Sequence, residues 1–480
     1  MNEERLHRLL SGVGEPERPT TAEWQAFLNR ARRNRTTRMV FSALLTVALV
    51  AVSAVALSRY STKRTDVPPA EQDQIVPVPI PEDPPESCSE GPSLESGSLG
   101  IVAYAGVTDL HIVDVETGHD QILVSGGSGF GRGFPGSGVQ VSPDGRWITF
   151  GDGLVVPSGG GTVCAPLGRG LRDFRWTSGG MLVGLGDNVL VVGGPDRPPK
   201  TFDAGRFPIG SYALSPDGMS IAVSVFSPPD KTNDPLSVGM RGIWVLDLEG
   251  RVVGRPSTIS LPGSEYKIAV WAPDGRSILY WVLFPNSASL NADGGPLHVV
   301  DISTGDRTEV SPGMPNDPGQ VSMCGGSVVI ADVPGRFAEQ GHVITVLDPA
   351  DWSSQPLPGE AGESYVDPSC NRDGAGRIVA TAAPGVQGSL GEVEKETSIV
   401  WLEPDSGEVV DRTFVEGRIS RFPLLMPDGQ VIFEARERGA PEGGLYIHGT
   451  DGQVTLLLDH VRVDEYPYLG GVRFWDWHRP

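Results

Sequence analysis

The sequence predicts an all-β fold, a β-propeller of four-stranded antiparallel blades preceded by one transmembrane helix. Three observations lead there. A strand–turn–strand unit recurs along residues 100–480, the composition is crowded with turn formers (63 Gly and 42 Pro), and one uncharged apolar run stands near the N-terminus.

The clearest copies of the unit are VSPDGRWITF from Val141, LSPDGMSIAV from Leu214, WAPDGRSILY from Trp271 and LMPDGQVIFE from Leu425, with a degraded copy, CNRDGAGRIVA, from Cys370. Their aspartates (Asp144, Asp217, Asp274, Asp373 and Asp428) are separated by 73, 57, 99 and 55 residues. The two long gaps each suit two repeats, and WTSGGMLVGL from Trp176 and SMCGGSVVIAD from Ser322 supply the missing ones. Pro sets φ at the first corner, Asp bonds its own backbone two residues on, and Gly accepts positive φ. These aspartates therefore read as structural and not as catalytic acids. A third strand with its own turn follows each hairpin, as in LHIVDVETG, IWVLDLEG and LHVVDISTG, and then a fourth. Eight blades result, starting near residues 100, 131, 171, 206, 265, 317, 363 and 418, with seven as the alternative count. The first offers only three strands, and the spare YLGGVRFWDW from Tyr468 is expected to complete it, packing Val472, Phe474, Trp475 and Trp477 between blades.

The SPDG hairpins followed by V-x-D-x-x-T-G strands resemble the TolB-type, WD-repeat-like propellers of bacterial envelopes, over about residues 100–480. What the resemblance implies is the fold. Only the turn motifs align, so it carries over no partner-binding residue.

Residues 39–58 (MVFSALLTVALVAVSAVALS) carry no charge, and at 1.5 Å per residue such a run spans roughly 30 Å of hydrocarbon. Arg30, Arg32, Arg33, Arg35 and Arg38 precede it, while only Arg59, Lys63 and Arg64 follow closely. The positive-inside bias puts residues 1–38 in the cytoplasm and the propeller outside. A cleaved signal peptide is the competing reading, with Ala54-Val55-Ala56 as the cleavage-like site. Thr20-Thr21-Ala22-Glu23 reads as a capping box opening a short helix with Trp24, Phe27 and Leu28 on one face. That Arg-rich tail either lies on the inner leaflet or docks a cytoplasmic partner. Residues 59–99 are Pro-rich and read as an extended stalk. Lys is scarce beside Arg, a composition common in high-GC bacteria.

Residues 1–64 hold 11 Lys and Arg against 5 Asp and Glu, which leaves 27 against 55 in residues 65–480, a net of −28. So acidic a domain repels phosphate backbones, and nucleic acid is excluded as its partner. The four cysteines show neither CxxC nor zinc-ligand spacing, so no metal site is expected. In an exported domain they allow two disulfides in three pairings. Cys324 and Cys370 end inner strands at nearly the same place in adjacent repeats, which favours that pair and leaves Cys88 in the stalk for Cys164.

No G-x-S-x-G elbow occurs, the Asp-Gly spacing is wrong for sialidase-like turns, and the eight His form no H-x-x-x-H or H-x-E arrangement. His111 and His298 share one repeat position, which suits packing. No catalytic residue and no cofactor is assigned, and the chain reads as a binding module and not an enzyme. Loops between second and third strands are about three residues in the first three blades. They lengthen in the last five, at 227–241, 284–296, 333–342, 383–397 and 435–444. Insertions gathered on one face of a repeat fold mark a binding face. Arg172, Tyr266, Tyr365, Arg421 and Tyr468, at the upstream ends of inner strands, point to the same face, and Arg and Tyr are common interface anchors. The reading is a membrane-held propeller that binds a protein, peptide or glycan there. Two alternatives stand beside it: a transmembrane regulator whose tail docks a sigma-factor-like protein, and an envelope hydrolase or lyase with an unrecognised site.

The topology is checked with a membrane-impermeant thiol label on intact cells. It is expected to reach cysteines introduced in the propeller and none in residues 1–35; labelling of the tail reverses the orientation.

Overall fold

The protein is described by a computed structural model covering residues 77–78, 88, 100–105, 109–124, 138–151, 153–168, 170–171, 173–186, 189–202, 208–226, 240–257, 265–283, 295–314, 317–332, 341–370, 376–384, 397–440, 442–462 and 475–478. The chain divides into two units, Met1–Asp73 and Gln74–Pro480, and every described residue belongs to the second. The expected cytoplasmic tail and membrane helix lie outside the described residues. Among those described, no helix is long and apolar enough to cross a membrane.

Strands follow the repeat in chain order, and each hairpin pairs with the next strand to give eight antiparallel sheets. Six of them hold four strands. In blade four, for example, Ile209–Leu214, Ser220–Phe226, Met240–Asp247 and Val252–Ser257 run from inside to outside. The inner strands of the next four blades begin at Glu265, Val321, Glu363 and Ile419.

Two blades depart from the four-strand rule. Blade two has only Gln140–Val141, Trp147–Phe150 and Leu154–Pro157 in its sheet, and Cys164 makes a lone antiparallel bridge to Val155 where a fourth strand belongs. The run Gly159-Gly160-Gly161 explains the loss. Gly160 and Gly161 sit at φ 86° and 147°, off the extended ladder. Blade three gains a fifth strand, because Pro77–Val78, from the Pro-rich segment expected to form a stalk, pairs with its outer strand Arg197–Phe202.

The turns behave as their chemistry dictates. Asp144 accepts from Ser142 Oγ at 2.6 Å and from the Arg146 N–H at 3.2 Å, while Gly145 turns at φ 70°. Asp274 and Asp428 accept from the N–H two residues on, at 2.8 and 3.0 Å. In the second turn Asp301 accepts from the Ser303 and Thr304 N–H groups at 2.8 Å, and with the Ser303 hydroxyl these bonds hold its pKa down at about 2. Each such aspartate is occupied with its own turn.

The core lies between blades and not within one. Val183, Leu185 and Phe202 of blade three pack with Tyr212, Ile221, Val223 and Trp244 of blade four, and every other neighbouring pair repeats the scheme. The ring closes through the chain's last described strand. Trp475–His478 becomes the inner strand of blade one, pairing antiparallel with Ile101–Ala105 (Val102 opposite Trp477, Ala103 opposite Asp476). Asp476 Oδ2 also accepts the Val141 N–H of blade two at 2.9 Å, and Trp477 packs half-buried on the core shared by blades eight and one. Val472 and Phe474 lie outside the described residues.

Truncation before Tyr468 is expected to lower the melting temperature sharply and to cause aggregation, because it bares the Ile101–Ala105 edge. Asp476→Ala, which leaves the strand in place, should cost about 1.5–3 kcal/mol in a thermal melt. A truncated chain that melts like the intact one contradicts this closure.

Candidate functional site

In every blade the loop from second to third strand falls on the face opposite the short PDG turns. Those loops are tight in blades one to three, joining Ala105 to Leu110, Phe150 to Leu154 and Leu185 to Leu190. They are long in blades four to seven, where they join Phe226 to Met240, Leu283 to Gly295, Asp332 to Val343 and Pro384 to Ser398. Blade eight is shorter than the sequence suggested. Arg436 and Glu442 extend its ladder, so only residues 437–441 are left to turn.

Under this face blades five to eight bring together Lys267, Asp317, Asp367 and Arg421, three of them on inner strands and Asp317 just ahead of one. In blade five, Lys267 lies opposite Trp281 in register, its ammonium 5.9 Å from the indole centroid, on the side packed against blade six. Asp317 caps the single turn Pro318–Gln320 that leads into blade six and accepts the Gly319 N–H at 3.0 Å. Asp367 of blade seven and Arg421 of blade eight complete the arc, with Arg421 Nη2 and Nε each 3.3 Å from Asp367 Oδ2.

Asp367 is the hub. Its Oδ1 accepts Gln320 Nε2 at 2.9 Å, its own N–H donates to Gln320 Oε1 at 3.1 Å, and its Oδ2 accepts the Thr381 hydroxyl at 3.2 Å. One carboxylate thus ties three blades, and its side chain is only 4% exposed. A buried charge is tolerated when it is paired and its lone pairs are filled, as here. The backbone is bent to present it. Asp367 sits at φ 53° inside a register shift between Val366 and Ser369, and Phe422 sits at φ 52° inside the matching shift between Arg421 and Leu424. Both precede a proline, Pro368 and Pro423, which cannot donate to the ladder, so each inner strand bulges and re-aims its side chains.

Burial, reinforced by the Asp367 charge, pushes the Asp317 carboxyl up against the pull of the Gly319 N–H and of Lys267. His342, whose N–H donates to Ser364 Oγ at 2.9 Å in the seam between blades six and seven, is held down at about 4 by burial, with Asp367 pulling the other way. A second network lies nearby. Arg412 Nη2 binds Glu360 and Glu363, each at 2.8 Å, and Nη1 donates to Ser398 Oγ at 2.7 Å. The arrangement can meet a polar ligand through Asp317 and Lys267, both half-buried at its edge. Among the described residues no group of three or more His, Cys, Asp or Glu is placed to hold a metal ion.

The anchor residues read from sequence fall out unevenly. Tyr266 is 1% exposed and packs edge-on against Tyr280, their centroids 5.2 Å apart, in the core between blades four and five. Tyr365 is equally buried; its hydroxyl donates to Glu363 at 2.9 Å and accepts the Glu360 N–H at 2.6 Å. Arg421 is committed to Asp367. These three are inward-turned, not surface-presented, because a side chain at the start of an inner strand points into a seam between blades. Arg172 and Tyr468 lie outside the described residues. Sequence reading missed Asp317, Gln320, His342 and Asp367; the Asp367-Pro368 and Phe422-Pro423 steps within predicted strands were the available signal.

Disulfides join Cys324 to Cys370, with Cα atoms 5.4 Å apart, and Cys88 to Cys164, 5.3 Å apart. The first links the inner strands of blades six and seven at the end away from the Gln320–Asp367 contact.

No protein-family model and no curated protein matches the chain. Among solved structures it resembles dihydro-haem d1 dehydrogenase NirN in complex with DHE, at 16% identity and a TM-score of 0.55 over 86% of this chain and 84% of that one. It is also similar to a protein described as TolB from Agrobacterium tumefaciens (14% identity, TM-score 0.33, 79% of this chain and 99% of that). A third likeness is to the propeller domain of the Trilobed protease from Pyrococcus furiosus (11%, 0.40, 68% and 97%). At such identities the likeness is one of fold. The chain is an eight-bladed β-propeller.

Arg421→Met strands the buried Asp367 charge and should destabilise by about 3–5 kcal/mol, whereas adding Asp367→Asn to it should recover part of the loss. For His342 the unfolded chain takes up a proton near 6.5 that the folded chain refuses until about 4. Stability is therefore full above the unfolded value and is lost as pH falls towards 4, by about 3 kcal/mol at most from this group. A denaturant titration of His342→Gln should show a shallower fall between pH 7 and 4 than the parent. Equal slopes contradict the assignment.

Proposed function

We propose that the chain is a membrane-tethered, extracytoplasmic propeller of the TolB-like, WD-repeat-like kind that binds a protein, peptide or glycan on its long-loop face. The observation that carries this reading is the coincidence, in blades five to seven, of long second-to-third loops with Lys267, Asp317 and Asp367, which lie on or just ahead of the inner strands at the same end. The half-buried Lys267 and Asp317 supply polar groups at that end, and the Asp367 hub ties the inner strands beneath them together. Such preorganisation favours binding, because a rigid site loses little entropy when occupied. Two disulfides favour an oxidising compartment, and the arginines before residue 39 favour an outward-facing propeller.

The test is loop replacement followed by a screen. Residues 284–294 and 385–396 are each replaced by Gly-Asp-Gly, the tight turn of blade two, and parent and variant are passed over peptide and glycan arrays. A ligand that binds the parent and is lost by at least tenfold in a variant of unchanged melting temperature supports the reading. A ligand bound equally by both, with its hydrogen-exchange footprint on the PDG-turn face, contradicts it.

A further inference from the structure

The Cys88–Cys164 bond closes a covalent loop spanning 76 residues. Inside it lie all three strands that the N-terminal part of the chain gives to blade one (Ile101–Ala105, Leu110–Asp114 and Asp120–Val124), as well as the whole three-stranded sheet of blade two. These are the mechanically delicate parts of the ring. Ile101–Ala105 is held on its inner side only by the closing strand Trp475–His478, and blade two is the thinnest sheet in the molecule. A pull arriving from the N-terminal side would, without a crosslink, pass the two-residue Pro77–Val78 pairing, reach Ile101 next and unzip the closure one hydrogen bond at a time.

We infer that the Cys88–Cys164 disulfide is a tension bypass. It carries force from the N-terminal segment straight into the seam between blades two and three, and so shields the closing blade. Both sulfur atoms are set into that seam. Cys88 and Cys164 pack with Trp147, Phe174, Leu182 and Val191 in one buried cluster, so force is delivered to a core and not to an edge strand. Just upstream, Pro77–Val78 lies along Arg197–Phe202 of blade three, a second grip on the same side of the ring. The role of such a device rests on the tethered reading, since a chain held at residues 39–58 is pulled from its N-terminal side; the mechanical behaviour does not rest on it.

The experiment is single-molecule pulling on the full chain between an N-terminal handle and a peptide tag inserted in the exposed turn at Ser303–Asp306. The parent should hold until the ring fails as a whole. Cys88→Ser/Cys164→Ser should show an earlier, weaker step, with a length gain of up to about 270 Å for the 76 residues released at 3.3–3.6 Å each. Cys324→Ser/Cys370→Ser removes a bond outside this path and should leave the first step unchanged. Should the serine variant fail to fold, a handle inserted within residues 92–98 of the parent loads Ile101 directly with the disulfide intact, and the early step should appear there too. Identical traces for the N-terminal and inserted handles overturn the bypass. A chain found outside membranes while the early step persists removes the tether reading alone.

Discussion

The ladder between Trp475–His478 and Ile101–Ala105 is the constraint on which the other blades depend. Each blade buries its two faces against its neighbours, so no blade has a core of its own, and a ring with one gap bares two blade faces at once. The closing strand removes that gap with four residues and pins blade two as well, through Asp476 and the Val141 N–H. Its position as the innermost strand of blade one also keeps the spatial order of strands the same all round the ring.

Around this closure the molecule is unequal. Blades one to three have tight loops on the long-loop face, the three-stranded sheet among the described residues and the contacts of Pro77–Val78 and Cys88. Blades five to eight have the linked Asp367–Arg421 pair, the two proline-associated bulges and the Cys324–Cys370 bond. Blades six and seven are joined twice along their inner strands, by Gln320–Asp367 at one end and by the disulfide at the other. Rigidity is thus concentrated beneath the face proposed for binding. Left-handed backbone at a non-glycine residue costs free energy, and Asp367 and Phe422 hold it because neighbouring blades fix their side chains.

Much of this was legible in the sequence, and the failures have physical causes. The PDG and D-x-x-T-G turns gave the repeat because their chemistry is local: an aspartate bonding its own backbone needs no tertiary context. Ring closure was legible because three strands at one terminus and one at the other leave a single arrangement without an open edge. A full fourth strand was expected of every blade, and in blade two the Gly159–Gly161 run, which acts through backbone angle alone, leaves only the Val155–Cys164 bridge. Tyr266 and Tyr365 looked like surface anchors because position in a strand does not say which way a side chain faces once bulges shift the register. The Asp367 hub draws Gln320, Thr381 and Arg421 from three blades, and no spacing rule links residues that far apart.

Native-state hydrogen exchange tests the closure most directly. Amides paired between Trp475–His478 and Ile101–Ala105 should exchange with the same free energy as those of a central pair such as Ser277–Leu283 and Gly295–Asp301, because opening the seam unfolds the ring. Fast, independent exchange at Trp475–His478, with Ile101–Ala105 still protected, would contradict it.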